Sequence, residues 1–553
     1  MRKLGPGPVR CLLVRPEFLE NTFYNPRDLF RLLGGRSAAP PLGLLTVAAH
    51  LPAHWELRLA DGDVEPITDA HVDWADVLMI SGKGPQEVPI CELIERAHGR
   101  DLPVVVGGAG PTLQPSMFAG KADYVVAGEA EPVLSRLLAD LETGTSAGVY
   151  RSAQEVDLSS APVPRYDLAR LHEYCFVGMN FSRGCPFSCE FCAQREIFGN
   201  KTRCKTPEQI LREHQALYDL GFRGMIDFGY DNLIGDIPKA ERVLEAMLAW
   251  NRAHGHPFCY STEATMNLAR QRHVLELMRD NDFRYIFMGI ESGDEKVLER
   301  TKKGQNVAMP APEAVRLVNS YGMVVNTGLI FGFDGESTGT APSVLNMVQE
   351  TGAFPTLVLP LHALPGTALA RRMEREGRLF KEGRIDSAEG RTDTATTGLN
   401  FATDRPRAEI LGDLADTLEA LYTPANHYRR LRLLIGQLGT SGRRFRPPLA
   451  KMLKLALSFA RIVGLIGFDR RLGLQFWKSL AIAAIQNRGA LEAVIGLQVM
   501  NANYARQSRS YVQAIREQIL HVEQVGEQEY NRRMGAGAER AVTAPPAPSP
   551  ESL

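Results

Sequence analysis

The sequence predicts an α/β protein in three parts: a doubly wound parallel sheet, a partial six-fold parallel barrel and a helical C-terminal domain. Three observations predict it. Short apolar runs alternate with helical patterns between Val9 and Val149. A second series of six such runs begins at Tyr174, and from about residue 401 the signals become almost entirely helical. At 553 residues the chain is too long for one core, so several domains are expected. The composition shifts divide it into a first domain over 1–150, a linker over 151–172, a barrel over 173–400, a helical domain over 401–530 and a tail over 531–553.

In the first domain the strand-length runs are Val9–Val14, Trp55–Ala60, Val77–Ser81, Pro103–Val106 and Tyr124–Ala127, with helical patterns at Pro89–Arg100 and Glu131–Leu141. Doubly wound sheets bind ligands at the carboxyl ends of their strands. Gly82-Lys83-Gly84-Pro85 and Gly107-Gly108-Ala109-Gly110 stand at such ends, where glycine either admits a ligand close to the backbone or simply makes a tight turn. Residues 151–172, with Ser159, Ser160, Pro162 and Pro164, read as a connector. The barrel strands are expected at Tyr174–Phe181, Gly224–Phe228, Phe258–Thr262, Tyr285–Ile290, Val324–Phe331 and Leu357–Leu361. Helices at Pro207–Leu220, Ala240–His254 and Arg270–Asn281 separate them. Such a barrel carries its chemistry on the carboxyl-end loops. The Ala- and Pro-rich stretch Gly535–Leu553 is expected to be disordered.

Composition narrows the function classes. Hydrophobic content of 44%, charged content of 23% and a net charge of −1 describe a folded protein that is not a polyelectrolyte as a whole. Met1–Val14 lacks a signal-peptide core, and no apolar run reaches the roughly 18 residues of a spanning helix. Eight cysteines are too few for a disulfide scaffold, so reduced thiols or metal ligation in the cytoplasm are expected.

The strongest signal is Arg183-Gly184-Cys185-Pro186-Phe187-Ser188-Cys189-Glu190-Phe191-Cys192. Chance would give three cysteines at this spacing about 0.002 times in such a chain. Thiolates gathered in one short loop suit iron–sulfur ligation, whereas structural zinc normally closes with a fourth ligand that conventional spacing does not supply here. This motif, placed after the first barrel strand and with an aromatic residue before its third cysteine, resembles the radical S-adenosylmethionine (SAM) superfamily over roughly residues 174–370. The resemblance implies a TIM-like barrel with a 4Fe–4S cluster on Cys185, Cys189 and Cys192. Its open iron would be chelated by SAM, which the cluster's electron cleaves to a hydrogen-abstracting radical. Asp231-Asn232, Ser261-Thr262-Glu263, Gly289-Ile290-Glu291-Ser292 and Gly328-Leu329-Ile330-Phe331-Gly332-Phe333 agree with later motifs of that family. Phe191, Asp231, Glu263, Glu291 and Gly332 are thereby candidates to contact SAM, although each acid could equally cap a helix.

The order of the domains resembles the cobalamin-associated class of that superfamily, in which a Rossmann-like cobalamin-binding-type domain precedes the barrel. Pro40-Pro41-Leu42-Gly43-Leu44-Leu45 and Gly128-Glu129-Ala130-Glu131 are typical of it. By this resemblance Gly43, Ser81, Gly82, Gly107, Gly108 and Glu129 are candidate cobalamin contacts. The Asp-x-His-x-x-Gly motif is absent, so no histidine is expected on cobalt; a domain of this shape that has lost the corrin is the alternative. The helical extension is similar to that of hopanoid C-methylase-like enzymes.

Between Arg429 and Lys478 that extension holds twelve Lys or Arg and one acid, Asp469. In Leu449–Phe468, Lys451, Lys454 and Arg461 share one sector of a helix whose remainder is apolar, the pattern of an interfacial helix or of a core helix with a solvated basic edge. Aromatics here form no recognisable stacking motif, so nucleic acid is not expected as a partner. Cys11, Cys91, Cys175, Cys204 and Cys259 lack the spacing of a second cluster, and His362 near the sixth strand is either a substrate contact or a packed residue.

The expected function is a cobalamin-dependent radical SAM methyltransferase acting on an unactivated carbon of a small-molecule or lipid-like substrate, with an external flavodoxin- or ferredoxin-like electron donor. The location expected is cytoplasmic, with peripheral membrane contact. Cyclisation, oxidation or coupling without methyl transfer is the second reading, and a non-catalytic iron–sulfur redox or metal sensor the third.

Overall fold

The computed structural model describes residues 3–5, 7–18, 22, 25–229, 231–381, 398–439, 449–470 and 472–536. Strands β1 (Arg10–Arg15), β2 (Glu56–Asp61), β3 (Val77–Ser81), β4 (Val104–Gly107), β5 (Tyr124–Val126) and β6 (Gly148–Tyr150) form one sheet in the order β2-β1-β3-β4-β5-β6, parallel at every pairing. Apolar clusters cover both faces, one around Leu13, Met79 and Tyr124 and the other around Leu12, Ile80 and Phe118. That double coverage explains why its strands read as continuous apolar runs. The edge strand β6 was not expected: it has three residues and two of them are exposed, too little pattern to signal a strand.

The second sheet contains β7 (Phe176–Met179), β10 (Gly224–Phe228), β11 (Phe258–Glu263), β12 (Phe283–Glu291), β13 (Val324–Phe331) and β14 (Thr356–Pro360), all parallel, in the order β14-β13-β12-β11-β10-β7. Side chains alternate along these strands. Ile226, Tyr260, Ile286, Val325 and Val358 are buried in the main core, while Asp227, Ser261, Phe287, Asn326 and Leu357 remain partly accessible and face the lumen of an open barrel. Between β7 and β10 a small antiparallel ladder, β8 (Ser182–Arg183) with β9 (Arg203–Cys204), pinches the chain.

The connector is not loose. It carries three short 3₁₀ turns and buries Tyr166, whose hydroxyl lies 3.1 Å from the Gly178 carbonyl and 3.2 Å from Glu213. The Pro40–Leu45 segment starts a helix, Leu42–Ala48, whose Leu45 belongs to the barrel-side core. The described residues beyond 398 are mostly helical, and the longest helix among them, Leu491–Val525, packs on Arg407–Leu421 and on the first domain's Arg27–Leu32. The tail expected to be disordered lies outside the described residues from 537 onward. Among the described residues, no helix is long and apolar enough to cross a membrane.

Candidate active site

The three cysteines sit on the loop that leaves β8 and returns to β9, so the ladder Ser182↔Cys204 and Arg183↔Arg203 closes the loop at its base. Gly184 begins the loop with φ +87, and a Cβ there would meet the Lys201 carbonyl at 2.2 Å; only glycine fits. Its N–H donates to Asp231 Oδ2 at 2.8 Å. Further along, Glu190 takes Arg372 with both carboxylate oxygens (2.8 and 3.1 Å), tying the loop to the helix Ala368–Arg375. Gln305 donates to Cys189 Sγ at 3.6 Å. Burial first of all pushes Cys192 up to about 11 and raises Cys185, and the neighbouring Cys189 adds to both.

A buried cation faces them. Lys303 donates to Glu291 Oε1 at 2.8 Å, and its ammonium stands 5.9 Å from the centre of the Phe191 ring. Burial alone would lower Lys303, but Glu291 and the thiols of Cys189 and Cys192 outweigh it and hold the group above its ordinary value. Glu291 ends β12 at a register shift and has φ +67, a conformation rarely adopted by side-chain-bearing residues. Its carboxylate folds over Gly289, where a Cβ would lie 2.1 Å from Glu291 Oε1. Sequence reasoning found Glu291 but missed Lys303 and Gln305, which carry no motif of their own.

Of the other acids, Asp231 lies three residues past β10 and has one oxygen on the Gly184 N–H. Its second oxygen, Oδ1, is buried without a partner. Glu263, at the end of β11, faces the lumen above Asp227, which accepts from Ser261 at 2.6 Å. Burial drives Glu263 up to about 8, with Asp227 and Asp231 adding to it, and brings Asp227 and Asp231 each up to about 6. Glu263 is therefore a neutral carboxyl at pH 7. Gly332 (φ +101) has its N–H on Glu336 at 2.9 Å and packs on Leu399, so its amide is already committed. His362 is neutral, lowered by burial to about 4, and its Nδ1 is buried without a partner. All eight cysteines are free thiols, and Cys91 is only partly buried rather than in the core.

The first domain presents its strand ends to this loop. Glu129, just past β5, is only 8% exposed and accepts from both Arg183 (2.7 Å) and Arg203 (2.8 Å), while Glu131 pairs with Arg183 at 2.8 Å. Glu129, expected as a cobalamin contact, has its two oxygens on the two arginines at the base of the cysteine loop and ties the two domains together. Several of the glycines expected there are crowded. At Gly108 (φ +102) a Cβ would meet Ser81 Oγ at 2.6 Å and the Gly82 carbonyl at 2.9 Å, and at Gly110 the Lys83 carbonyl carbon at 3.0 Å. Gly82 is equally crowded, by Ile90 at 2.7 Å. These residues are small so that the loops after β3 and β4 can pack on each other. Gly107 has ordinary room, and Gly43 lies in a helix with open space beside it. At the carboxyl ends of β1 and β2, Arg15 is enclosed by Asp61 (2.6 Å), Asp63 (3.7 Å) and the carbonyl of Ala39. Lys83 reaches toward the barrel, where Glu263 acts on it, although burial leaves it below its ordinary value. A cleft of about 230 Å³ opens between the β5 end and the cysteine loop, lined by Thr112, Gly128, Glu129, Arg151, Phe198 and Gly199.

The donor set fits the expected groups. Among the described residues, no three His, Cys, Asp or Glu side chains come close enough to share one metal ion. A cluster held at its corners by three thiolates accepts a wider set, and the cation at Lys303 suits its negative charge. The unpartnered Asp231 Oδ1 and the partly accessible Glu263 leave acceptors for a cationic amine or ribose hydroxyls.

An open parallel sheet latched over a partial barrel, with three thiols at the barrel's carboxyl end, defines a B12-type radical SAM architecture. Residues 36–138 match the B12 binding domain, 179–348 the Radical SAM superfamily, and 367–517 a domain of unknown function, DUF4070. An uncharacterized methyltransferase of Synechocystis is 34% identical over 92% of this chain and 94% of its own length. The hopanoid C-2 methylase of Rhodopseudomonas palustris is 34% identical over 63% of this chain and 67% of its own. The chain belongs to the cobalamin-type radical SAM methyltransferase family. The radical SAM methyltransferase TsrM from Kitasatospora setae, solved with cobalamin and a [4Fe-4S] cluster, shares the fold with a TM-score of 0.60 at 15% identity, over 82% of this chain and 100% of that one. The cobalamin-dependent radical enzyme OxsB, solved with aqua-cobalamin and SAM, does so with a TM-score of 0.57 at 16% identity, over 95% of this chain and 83% of its own.

Proposed function

We propose that the chain methylates an unactivated carbon of a hydrophobic, lipid-like substrate, using cobalamin, SAM and a 4Fe–4S cluster on Cys185, Cys189 and Cys192. The observation that carries this reading is one loop: its three thiols face Lys303, and its base is latched by Arg183 and Arg203 to the B12-type domain. When bound, cluster and SAM supply a radical able to take hydrogen from carbon, and cobalamin supplies the methyl group.

The chain's own residues bind and orient. Lys303 holds Glu291 over Gly289, ready to accept from the SAM amino group or ribose. Asp231 secures the loop through Gly184 and keeps its second oxygen toward the site. Glu263, neutral at pH 7, offers an O–H to a carboxylate or hydroxyl. On the β12–β14 side Phe287, Ile330, Leu357 and Leu359 line the lumen beside the single amide of Asn326, an apolar wall that suits a hydrocarbon skeleton. Two relatives are named as hopanoid methylases, C-2 at 34% and C-3 at 27% identity. An external flavodoxin- or ferredoxin-like protein would deliver the electron.

Anaerobic reconstitution with cobalamin, SAM and a reductant, followed by mass spectrometry of candidate lipids, tests the reading. The expected product gains one CH₂. Loss of hydrogen without CH₂ would move the chain to the cyclisation or oxidation reading, favoured in relatives named as anaerobic magnesium-protoporphyrin IX monomethyl ester cyclases. No SAM cleavage by the reduced, cluster-loaded protein would sink both and leave the sensor.

A further inference from the structure

We propose that the helical hairpin Leu449–Gln486 is a docking surface for an anionic lipid bilayer. Of thirteen large hydrophobic residues exposed among the described residues, eight fall within Leu449–Ile485. They include Leu457, Leu465, Phe468 (77% exposed), Leu474 and Ile485 (84%). The hairpin is not an apolar helix awaiting its core, because its inner side is already packed: Ile462, Ile466 and Phe476 are buried with Leu29 of the first domain and Val499. Trp477 donates to the Gly467 carbonyl at 2.9 Å and leaves part of its ring outside. A segment apolar on both sides, anchored through one and open on the other, has a second surface to cover.

The charge on that outer side selects the occupant. Residues 429–478 hold twelve basic residues and one acid in the sequence; Arg430 is buried, and Arg461, Arg470 and Lys478 are exposed on the hairpin. The acid, Asp469, accepts the Leu472 N–H at 2.8 Å and caps the turn of the hairpin. Arg461, Arg470 and Lys478 are exposed and form no ion pair among the described residues. Helical spacing puts Leu457, Arg461 and Leu465 on one side of their helix. The side chains of Lys451 and Lys454, grouped with Arg461 in the sequence pattern, lie outside the described residues. Two copies meeting through this face would bring like charges together, so a second copy is disfavoured. Exposed aliphatic side chains beside unpaired cations, on helices too short to span, match a bilayer surface with anionic headgroups.

The inference is independent of the methyl-transfer chemistry, and co-sedimentation of the full-length protein with vesicles tests it. The protein should pellet with phosphatidylglycerol-containing vesicles, remain free with purely zwitterionic ones, and lose about tenfold in partitioning as salt is raised. R461E/R470E/K478E should reduce binding about tenfold or more. L465S/F468S should keep the salt-dependent attraction but abolish the blue shift of Trp477 fluorescence on vesicles, with Trp477→Phe identifying the signal. SAM cleavage in solution should be unchanged in both variants, which shows them folded. Failure of the wild type to pellet, a salt-insensitive interaction with neutral vesicles, or concentration-dependent dimers dissolved by L465S/F468S would overturn the proposal. Vesicle binding without SAM cleavage would refute the enzymatic reading and leave this one standing.

Discussion

The two parallel sheets have six strands each and the same βα connections, yet they are finished in opposite ways. The first is covered on both faces by apolar side chains, and its strand-end loops are drawn together by glycines at 82, 108 and 110. The second is covered on its outer face only. Its inner face keeps Asp227, Glu263 and Asn326 partly open to a lumen, and Glu291 is held at an unusual φ. One local grammar therefore yields a platform and a chamber. The difference lies in which side of each strand is denied apolar residues, and the acids in the lumen sit where burial destabilises their charge.

Breaking the chamber should have the largest effect. C185A/C189A/C192A should lose SAM cleavage entirely, with iron and sulfide falling from about four each per chain to none, while circular dichroism stays unchanged because no core residue is removed. Breaking the latch between chamber and platform comes next. Glu129→Ala leaves Arg183 and Arg203 buried without their shared carboxylate, and denaturant unfolding should show a loss of about 3–5 kcal/mol. Within the platform, Gly108→Ala forces a Cβ into Ser81 and Gly82 at a positive φ and should cost about 1–3 kcal/mol, with cobalamin retention reduced alongside. The last effect is a slope. Glu263 is raised from an ordinary 4.5 to about 8, so between those values the folded chain holds a proton that the unfolded chain has released. Stability without added cofactor should therefore fall as pH rises through that window, and Glu263→Gln should flatten the decline.

Most strands were legible because burial on one or both faces writes itself into the sequence; β6 was not, because two of its three residues face solvent. The cysteine loop was legible from spacing alone. Its electrostatic surroundings were not. Arg183 and Arg203 read as ordinary basic residues, since their partner lies 54 and 74 positions away on another domain. Glu129 was legible as a candidate, but its arginine partners could not be read. Gly108 posed the same problem: a glycine needed for packing and one needed for a ligand are spelled alike. In the helical domain the basic excess was plain, whereas the exposed aliphatics on the outer side emerge only once Ile462 and Phe476 are seen to be buried elsewhere.

The arginine pair at the foot of the cysteine loop also sets a rule for recombination. Arg183 is two residues before Cys185, and its partners Glu129 and Glu131 belong to the other domain. A hybrid joining the first 150 residues of one relative to the barrel of another would inherit half of a charge quartet from each parent. Where the parents differ at any of Glu129, Glu131, Arg183 or Arg203, the graft would bury a lone charge at its seam. Moving all four together would keep that seam free of a lone charge.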